Sequence, residues 1–392
     1  MIYKCNAANL ILSGGGVKGI AFIGGLEMFA LRGWQFCNIA GVSAGAIIGS
    51  ILAAGYSPLE LREILDSFVF EKMKIDDIPK RIPVVSNYMN YNSRLAGHFN
   101  ERNEALLALD SFLNGNNSVL SETVSNMRGN IFDWIYKLCS QGCLFDGDYL
   151  EGWVKNILAK KGVRTFGDLR GGFKDRVNPN GYRLRMTAVD ATRAKVVVLP
   201  DDIRFYGIDP DSLEVARAVR MSASVPFVFK PVELKKSEGN VVRTYNLIDG
   251  GVFDNFPFWL IDHRDKQYSD RQSAFGIPTI GIRLVGKKGG ISLDTPLAIL
   301  KAIISSFRDI GVPENLSFNH EHYIKIRTSD VSFLDFDLSN DEITRLMEVG
   351  RDTIVRYFEG NRQFTYELYY QSLYYKSIFA LTLLILGKYL AR

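Results

Sequence analysis

Short apolar runs alternate with longer, largely apolar segments through the first 70 residues of the chain. Apolar runs of about 4–8 residues are typical of buried strands, and longer patterned segments are typical of helices. The predicted elements are strands at 9–13 and 39–42 and helices at 17–31, 44–54 and 59–70. Ser57 and Glu60 have the spacing of a capping box, which marks the start of the third helix. This alternation predicts an α/β fold with a mostly parallel sheet.

The pattern weakens between residues 71 and 143, where asparagine and serine are frequent. We interpret this stretch as an insertion of short helices and loops, either a cap beside the functional site or an elaboration away from it. Regular patterning then resumes and predicts further elements. The predicted strands are 182–191, 195–200, 228–234, 241–248, 279–285 and 323–327, and the predicted helices are 148–159, 212–221, 295–309 and 341–358. We expect one domain at 1–320 and a C-terminal helical extension at 321–392.

Two glycine-rich turns each join a predicted strand to a predicted helix near the N-terminus. The first spans Gly14 to Gly19 with the sequence GGGVKG, and the second spans Gly41 to Gly45 with the sequence GVSAG. The second turn fits G-x-S-x-G, the nucleophile elbow, in which glycines let the backbone bend sharply around a serine. The first presents backbone N–H groups at a helix start, which can bind an anion or a reaction oxyanion. Together the turns indicate a serine acyl hydrolase.

The first turn also matches G-x-G-x-x-G, the dinucleotide-binding fingerprint. That fingerprint requires an acidic residue about 20 positions further on, at the end of the next strand. Here the next strand ends beside Ser43, and Glu27 lies inside the intervening helix. The context therefore favours an anion-binding loop beside a nucleophile over a nucleotide site.

Ser43 needs a base, because a serine hydroxyl is a weak nucleophile until its proton is taken. None of the four histidines follows a predicted apolar strand; they are His98, His263, His320 and His322. Asp249 does end such a strand, and Gly250 and Gly251 follow it. Asp-Gly also forms hairpin turns, but the strand is apolar and a helix is expected from Phe256. Asp249 is therefore the candidate partner of Ser43.

These three motifs, in this order, resemble the patatin-like phospholipases. Segments 144–148, 215–231 and 250–257 are also similar to that family, and the resemblance covers residues 8–70 and 144–285. The resemblance implies a three-layer α/β/α fold with a mostly parallel central sheet, a nucleophile elbow and an inserted helical cap region.

The resemblance also implies a catalytic dyad, with Ser43 as nucleophile and Asp249 as the base that activates it. Backbone N–H groups of the first turn would form the oxyanion hole, with positive charge from its lysine. The residues of this loop are Gly14, Gly15, Gly16, Lys18 and Gly19, and the other motif glycines are Gly41, Gly45, Gly250 and Gly251. Ser13 stands where many relatives have an aspartate. No metal or cofactor is implied, since no His, Cys or carboxylate cluster has ligand spacing.

The composition narrows the classes of partner. The 392 residues are 47% hydrophobic and 23% charged, with a net charge of +4 and no long Lys/Arg block. The hydrophobic fraction is typical of a protein with a large folded core. The lack of a Lys/Arg block argues against nucleic acid as a partner. The N-terminal apolar run is too short for a signal peptide. We expect a cytoplasmic protein with peripheral membrane association, or a secreted effector without a cleavable signal peptide.

The C-terminal tail has tyrosines followed by an uncharged run of 11 residues at 377–387. A membrane-spanning helix needs about 20 apolar residues, so this run is too short to span a bilayer alone. We interpret it either as an interfacial membrane helix or as a helix packed on the body or on another subunit. The tail and the insertion are compatible with an activator or a second copy of the chain as a partner.

The expected function is a metal-independent lipid acyl hydrolase, a phospholipase A or lysophospholipase, that releases fatty acids from membrane phospholipids. Two alternatives are left open by the sequence. The first is a triacylglycerol lipase or general esterase with the same dyad, and the second is a catalytically silent membrane-binding module.

Overall fold

The structure is a computed structural model that describes residues 6–68, 143–174, 178–261, 278–286, 323–328, 331 and 338–360. The predicted insertion, apart from residue 143, lies outside these residues. So do the predicted helix at 295–309, the C-terminal tail and all four histidines.

In the described part of the chain, eight strands form one mixed sheet, and two more form a separate parallel pair, β3 with β6. The strands are β1 Asn6–Leu12, β2 Trp34–Gly41, β3 Cys143–Phe145, β4 Leu184–Asp190, β5 Lys195–Leu199, β6 Phe227–Phe229, β7 Val232–Glu238, β8 Val241–Asp249, β9 Thr279–Val285 and β10 Tyr323–Arg327. The order in the sheet is β10-β9-β1-β2-β4-β8-β7, and β5 also pairs with β4. Pairings from β10 to β4 are parallel, whereas β5, β7 and β8 pair antiparallel. The mostly parallel sheet predicted from the sequence is confirmed.

The described helices are α1 Ile20–Leu31, α2 Ala44–Ala53, α3 Leu61–Asp66, α4 Asp148–Lys160, α5 Val215–Ser222 and α6 Asn340–Gly360. Helix α1 follows β1 and helix α2 follows β2, as the apolar pattern predicts. The capping box is confirmed before α3: the Ser57 N–H donates to Glu60 Oε2 at 2.7 Å, and the Leu59 N–H donates to Ser57 Oγ at 3.2 Å. The helix expected from Phe256 is wrong for the described residues 256–261, which form only a short 3-10 turn, Phe258–Leu260.

Alternate residues of β1 face two different cores. Leu10 and Leu12 belong to the large core that includes residues of α1, α2, α4, α5 and α6, whereas Ile11 packs with Phe256 and Phe258 in a smaller one. Since successive side chains of a strand point to opposite faces, both faces of the sheet are buried. The three-layer α/β fold class is confirmed.

Strand β10 and helix α6 complete the large core. Ile324 and Ile326 of β10 are buried in it. Phe358 of α6 packs edge-on against Phe29 of α1, with ring centroids 5.1 Å apart. Strand β10 and helix α6 thus share the large core with the preceding elements. The division of the chain into a domain at 1–320 and an extension stays a prediction.

The backbones of α1 and α6 approach closely at Gly350. A Cβ added at Gly350 would collide with the carbonyl oxygen of Ala21, which cannot move aside as a flexible side chain can. We therefore expect Gly350→Ala to lower the free energy of unfolding by about 1–3 kcal/mol, as overpacking does elsewhere. Urea unfolding followed by circular dichroism measures this.

Gly360→Ala is the matched control, because Gly360 lies in the same helix and no described residue outside its own helical turn comes within 4 Å of a Cβ added there. We expect its effect to stay within about 0.5 kcal/mol, as for most surface substitutions. Equal unfolding midpoints for the two variants would contradict the close packing of α1 on α6.

Candidate active site

Ser43 lies in the tight turn between β2 and α2. Its φ of 54° and ψ of −121° fall in a region that residues other than glycine rarely adopt. The turn is tight enough that a Cβ at Gly41 would collide with the carbonyl oxygen of Gly45, and one at Gly45 would collide with that of Leu12. A strained serine between a strand and a helix N-terminus is the conformation of a nucleophile elbow.

Strand β4 brings Ser43 and Asp249 to the same level of the sheet. Gly41 at the end of β2 lies opposite Met186, and Asp249 at the end of β8 lies opposite Ala188. Ser43 is two residues beyond Gly41, and Ala188 is two residues beyond Met186. Ser43 and Asp249 are both buried, with 6% and 4% of their surface exposed. The register therefore places the two predicted catalytic residues on strands that share β4 as a neighbour.

The backbone after Asp249 turns sharply into a 3-10 turn, Gly250–Val252. Asp249 Oδ1 accepts a hydrogen bond from the Gly251 N–H at 2.6 Å. A Cβ at Gly250 would collide with the carbonyl oxygen of Thr187. The Asp-Gly-Gly sequence thus ends a strand and orients a carboxylate, and the hairpin alternative does not occur.

The glycine loop after β1 lies beside Ser43, since a Cβ at Gly14 would be 3.3 Å from Ser43 Cβ. The Gly14 N–H donates to the carbonyl oxygen of Asn255 at 3.0 Å, so this donor is engaged within the protein. Within the described part of the chain, the N–H groups of Gly15 and Gly16 have no acceptor. These two N–H groups are therefore available as donors to a bound oxyanion.

Ser13 fixes this loop to the neighbouring strand. Its hydroxyl donates to the carbonyl oxygen of Gly14 at 3.0 Å and accepts from the Leu284 N–H at 2.9 Å. Ser13 therefore has a structural role, because it ties the glycine loop to β9.

Lys18 and Gly19 lie in the 3-10 turn Gly16–Gly19. The Lys18 ammonium lies near Gly286, since a Cβ there would be 3.3 Å from Nζ. Gly286 follows β9, on the side of β1 away from β2. A Cβ at Gly19 would be 2.9 Å from Ala44 Cβ, so Gly19 lets the loop pack on the elbow helix. The charge of Lys18 is thus on the β9 side of the loop.

Asn255 joins the glycine loop to the aspartate loop, and the sequence did not single it out. Its Nδ2 donates to the carbonyl oxygen of Gly14 at 3.4 Å, and its buried Oδ1 has no hydrogen-bond partner among the described residues. A Cβ at Gly14 or at Gly251 would contact this Oδ1. Asn255 therefore sits between the two loops. Its sequence signals were its position six residues after Asp249 and its place in the family-like segment 250–257.

Asp254 holds the loop that carries Asn255. Burial raises the pKa of Asp254, while hydrogen bonds from the Phe256 N–H and Trp259 Nε1, each at 2.9 Å, oppose that shift. Both carboxylate oxygens are thereby used in bonds within the loop. This carboxylate is a structural group rather than a second candidate base.

The described residues show neither a metal-binding cluster nor a membrane-spanning helix. They contain no group of three or more His, Cys, Asp or Glu side chains that could hold a metal ion. None of the described helices has the length and apolarity that a membrane span requires.

Comparison with known proteins gives a match over most of this region. A model of the patatin-like phospholipase family matches residues 10–262. The Bacillus subtilis (strain 168) protein YqhO is 29% identical over 345 residues, 87% of this chain and 94% of that protein. The probable lipid hydrolase 463L of Invertebrate iridescent virus 6 is 23% identical over 248 residues, 63% of this chain and 61% of that protein. The crystal structure of VipD from Legionella pneumophila aligns with 16% identity and a TM-score of 0.45, over 91% of this chain and 67% of that one.

Proposed function

Because this chain belongs to the patatin-like phospholipase family, we propose that it is a phospholipase A or lysophospholipase with Ser43 as nucleophile and Asp249 as base. Membership of the family makes the chain a lipid hydrolase. The single observation that supports the finer proposal is the strained elbow at Ser43, which lies level with Asp249. Beside it are two backbone N–H groups that have no acceptor among the described residues. Nucleophile, base and oxyanion donors are the three groups that acyl transfer requires.

The reaction follows from these groups. Ser43 Oγ attacks the carbonyl carbon of an acyl ester while Asp249 takes the hydroxyl proton. The N–H groups of Gly15 and Gly16 stabilise the oxyanion, and the positive end of α2 adds to that field. Asp249 returns the proton to the departing alcohol, and a water molecule then attacks the acyl-enzyme, with Asp249 again accepting a proton. The bond between the acyl carbon and Ser43 Oγ then breaks, Asp249 passes its proton to Ser43 Oγ, and the fatty acid is released.

Two exposed aromatic side chains support a membrane surface as the place of reaction. Phe253, four residues after Asp249, is 58% exposed, and Trp259 on the same loop is 38% exposed. Aromatic side chains favour the boundary between lipid and water. We propose that the protein associates peripherally with membranes, whether in the cytoplasm or as a secreted effector. An activator or a second copy as partner stays a prediction, because the insertion and the tail lie outside the described residues.

The test is a mass-spectrometric measurement of fatty acids and lysophospholipids released from mixed phospholipid vesicles in EDTA. We expect both products, because no step of the proposed reaction uses a metal ion. A requirement for calcium would contradict the proposal. Release from triglyceride emulsions but not from vesicles would favour the triacylglycerol lipase. No hydrolysis of either substrate, together with no labelling of Ser43 by a fluorophosphonate, would favour the inactive membrane-binding module.

A further inference from the structure

The last residue of helix α5 and the short segment that follows it bond to the backbone of both proposed catalytic residues. The Ser43 N–H donates to Ser222 Oγ at 3.1 Å. Two residues further on, the carbonyl oxygen of Ser224 accepts from the Asp249 N–H at 2.8 Å. Ser222 and Ser224 are fully buried. One short segment of chain thus holds the amide of the nucleophile and the amide of the base.

The end of α5 is itself fixed by Arg220, which is 2% exposed. Its guanidinium donates to Ser224 Oγ and to the carbonyl oxygens of Asp146 and Lys230. Gly147, at φ +82°, leaves room for this group, since a Cβ there would collide with it. The guanidinium is planar and presents several donors in a fixed geometry, so it can hold three acceptors from separate segments.

The hydroxyl of Ser222 accepts a hydrogen bond from the backbone of the elbow. Ser43 is the N-cap of α2, and the first N–H groups of a helix have no acceptor within it. A strained backbone conformation persists only where contacts from several surrounding segments hold it in place. Ser222 Oγ is an acceptor supplied from another element for the Ser43 N–H. Removing it would let the strained turn relax and move Ser43 Oγ.

We propose that Ser222 is a positioning residue for the nucleophile, and that the C-terminal end of α5, held by Arg220, sets the spacing of Ser43 and Asp249. The proposal rests on the proposed function, since it takes these two residues as the dyad. Ser222 acts through the backbone of Ser43 and exchanges no proton with substrate.

The experiment compares wild-type protein with Ser222→Ala and Ser222→Cys. The rate constant for labelling of Ser43 by a fluorophosphonate is measured together with kcat and KM on a soluble short-chain ester. We expect Ser222→Ala to lower the labelling rate constant and kcat by about 10–100-fold, because a displacement of about 1 Å at a reacting group can cost 100-fold. KM should stay within about twofold, since no substrate contact is removed.

Ser222→Cys keeps the size of the side chain but offers a weaker acceptor. Its labelling rate should lie between those of wild type and Ser222→Ala, and it preserves the test if the alanine variant fails to fold. Ser50→Ala is the matched control: Ser50 is also fully buried, and its hydroxyl donates to the carbonyl oxygen of Ile47 at 2.7 Å within α2. It should lose thermal stability but keep the labelling rate.

Two results would overturn the proposal. The first is labelling of both Ser222 variants at the wild-type rate, and the second is an equal loss of labelling in Ser50→Ala. If wild-type protein is neither labelled nor active, the proposed function fails, and this inference fails with it. Labelling of wild type therefore separates the two failures.

Discussion

Ser43→Ala is expected to lower the release of fatty acid from phospholipid vesicles by at least about 10⁴-fold, since removal of the nucleophile from a serine hydrolase leaves only the oxyanion site and substrate binding. The variant keeps a Cβ at φ 54°, so the elbow keeps its geometry and the loss is chemical. Mass spectrometry of the released lipids measures the effect, and fluorophosphonate labelling should disappear in parallel.

Ser50→Ala serves as the control for removal of a buried serine hydroxyl, and it should retain vesicle hydrolysis. Fatty acid release by Ser43→Ala at more than a tenth of the wild-type rate would contradict Ser43 as the nucleophile. Loss of activity in both alanine variants would point to a general defect in folding rather than to chemistry.

Asp249→Asn is expected to lower kcat by about 10²–10⁴-fold, which is the range that a positioned general base contributes. The amide oxygen of asparagine can still accept the hydrogen bond from Gly251, so the turn is preserved, but the amide cannot take the proton of Ser43. Both kcat on a soluble ester and the labelling rate of Ser43 should fall together. KM should change little, because Asp249 acts on the nucleophile.

Asp190→Asn is a control of matched position, because Asp190 is also a buried aspartate at the end of a strand. Its oxygens accept from the Thr192 and Arg193 N–H groups and from the Tyr206 hydroxyl. These are structural bonds, so the variant should lose stability and keep kcat. An equal fall in kcat for both asparagine variants would contradict a specific role for Asp249 as base.

The fold class and the motif positions could be predicted from the sequence because they rest on local patterns. Apolar runs of strand length followed by helical segments reveal the alternation of strand and helix over residues 9–54. The elbow at Ser43 follows from glycines two residues to either side, which only a tight turn requires. Asp249 was visible as the end of an apolar strand before two glycines.

The sequence could not predict which groups of the site bond to one another. Asn255 meets Gly14 across 241 residues of chain, and Ser222 meets Ser43 across 179. Local periodicity does not report contacts at such separations. The hydrogen bond from the Gly14 N–H to Asn255 and the position of the Lys18 ammonium beside Gly286, after β9, depend on the same long-range packing.

The sequence by itself therefore determined the class of fold, the strained serine, the carboxylate at the end of β8 and the family resemblance. The tertiary structure alone decided which backbone donors face the site and which buried side chains hold the dyad. It also placed β10 and α6 in the main sheet and core. The physical reason is that strands and turns follow from neighbouring residues, whereas a site is assembled from segments that only the packed sheet brings together.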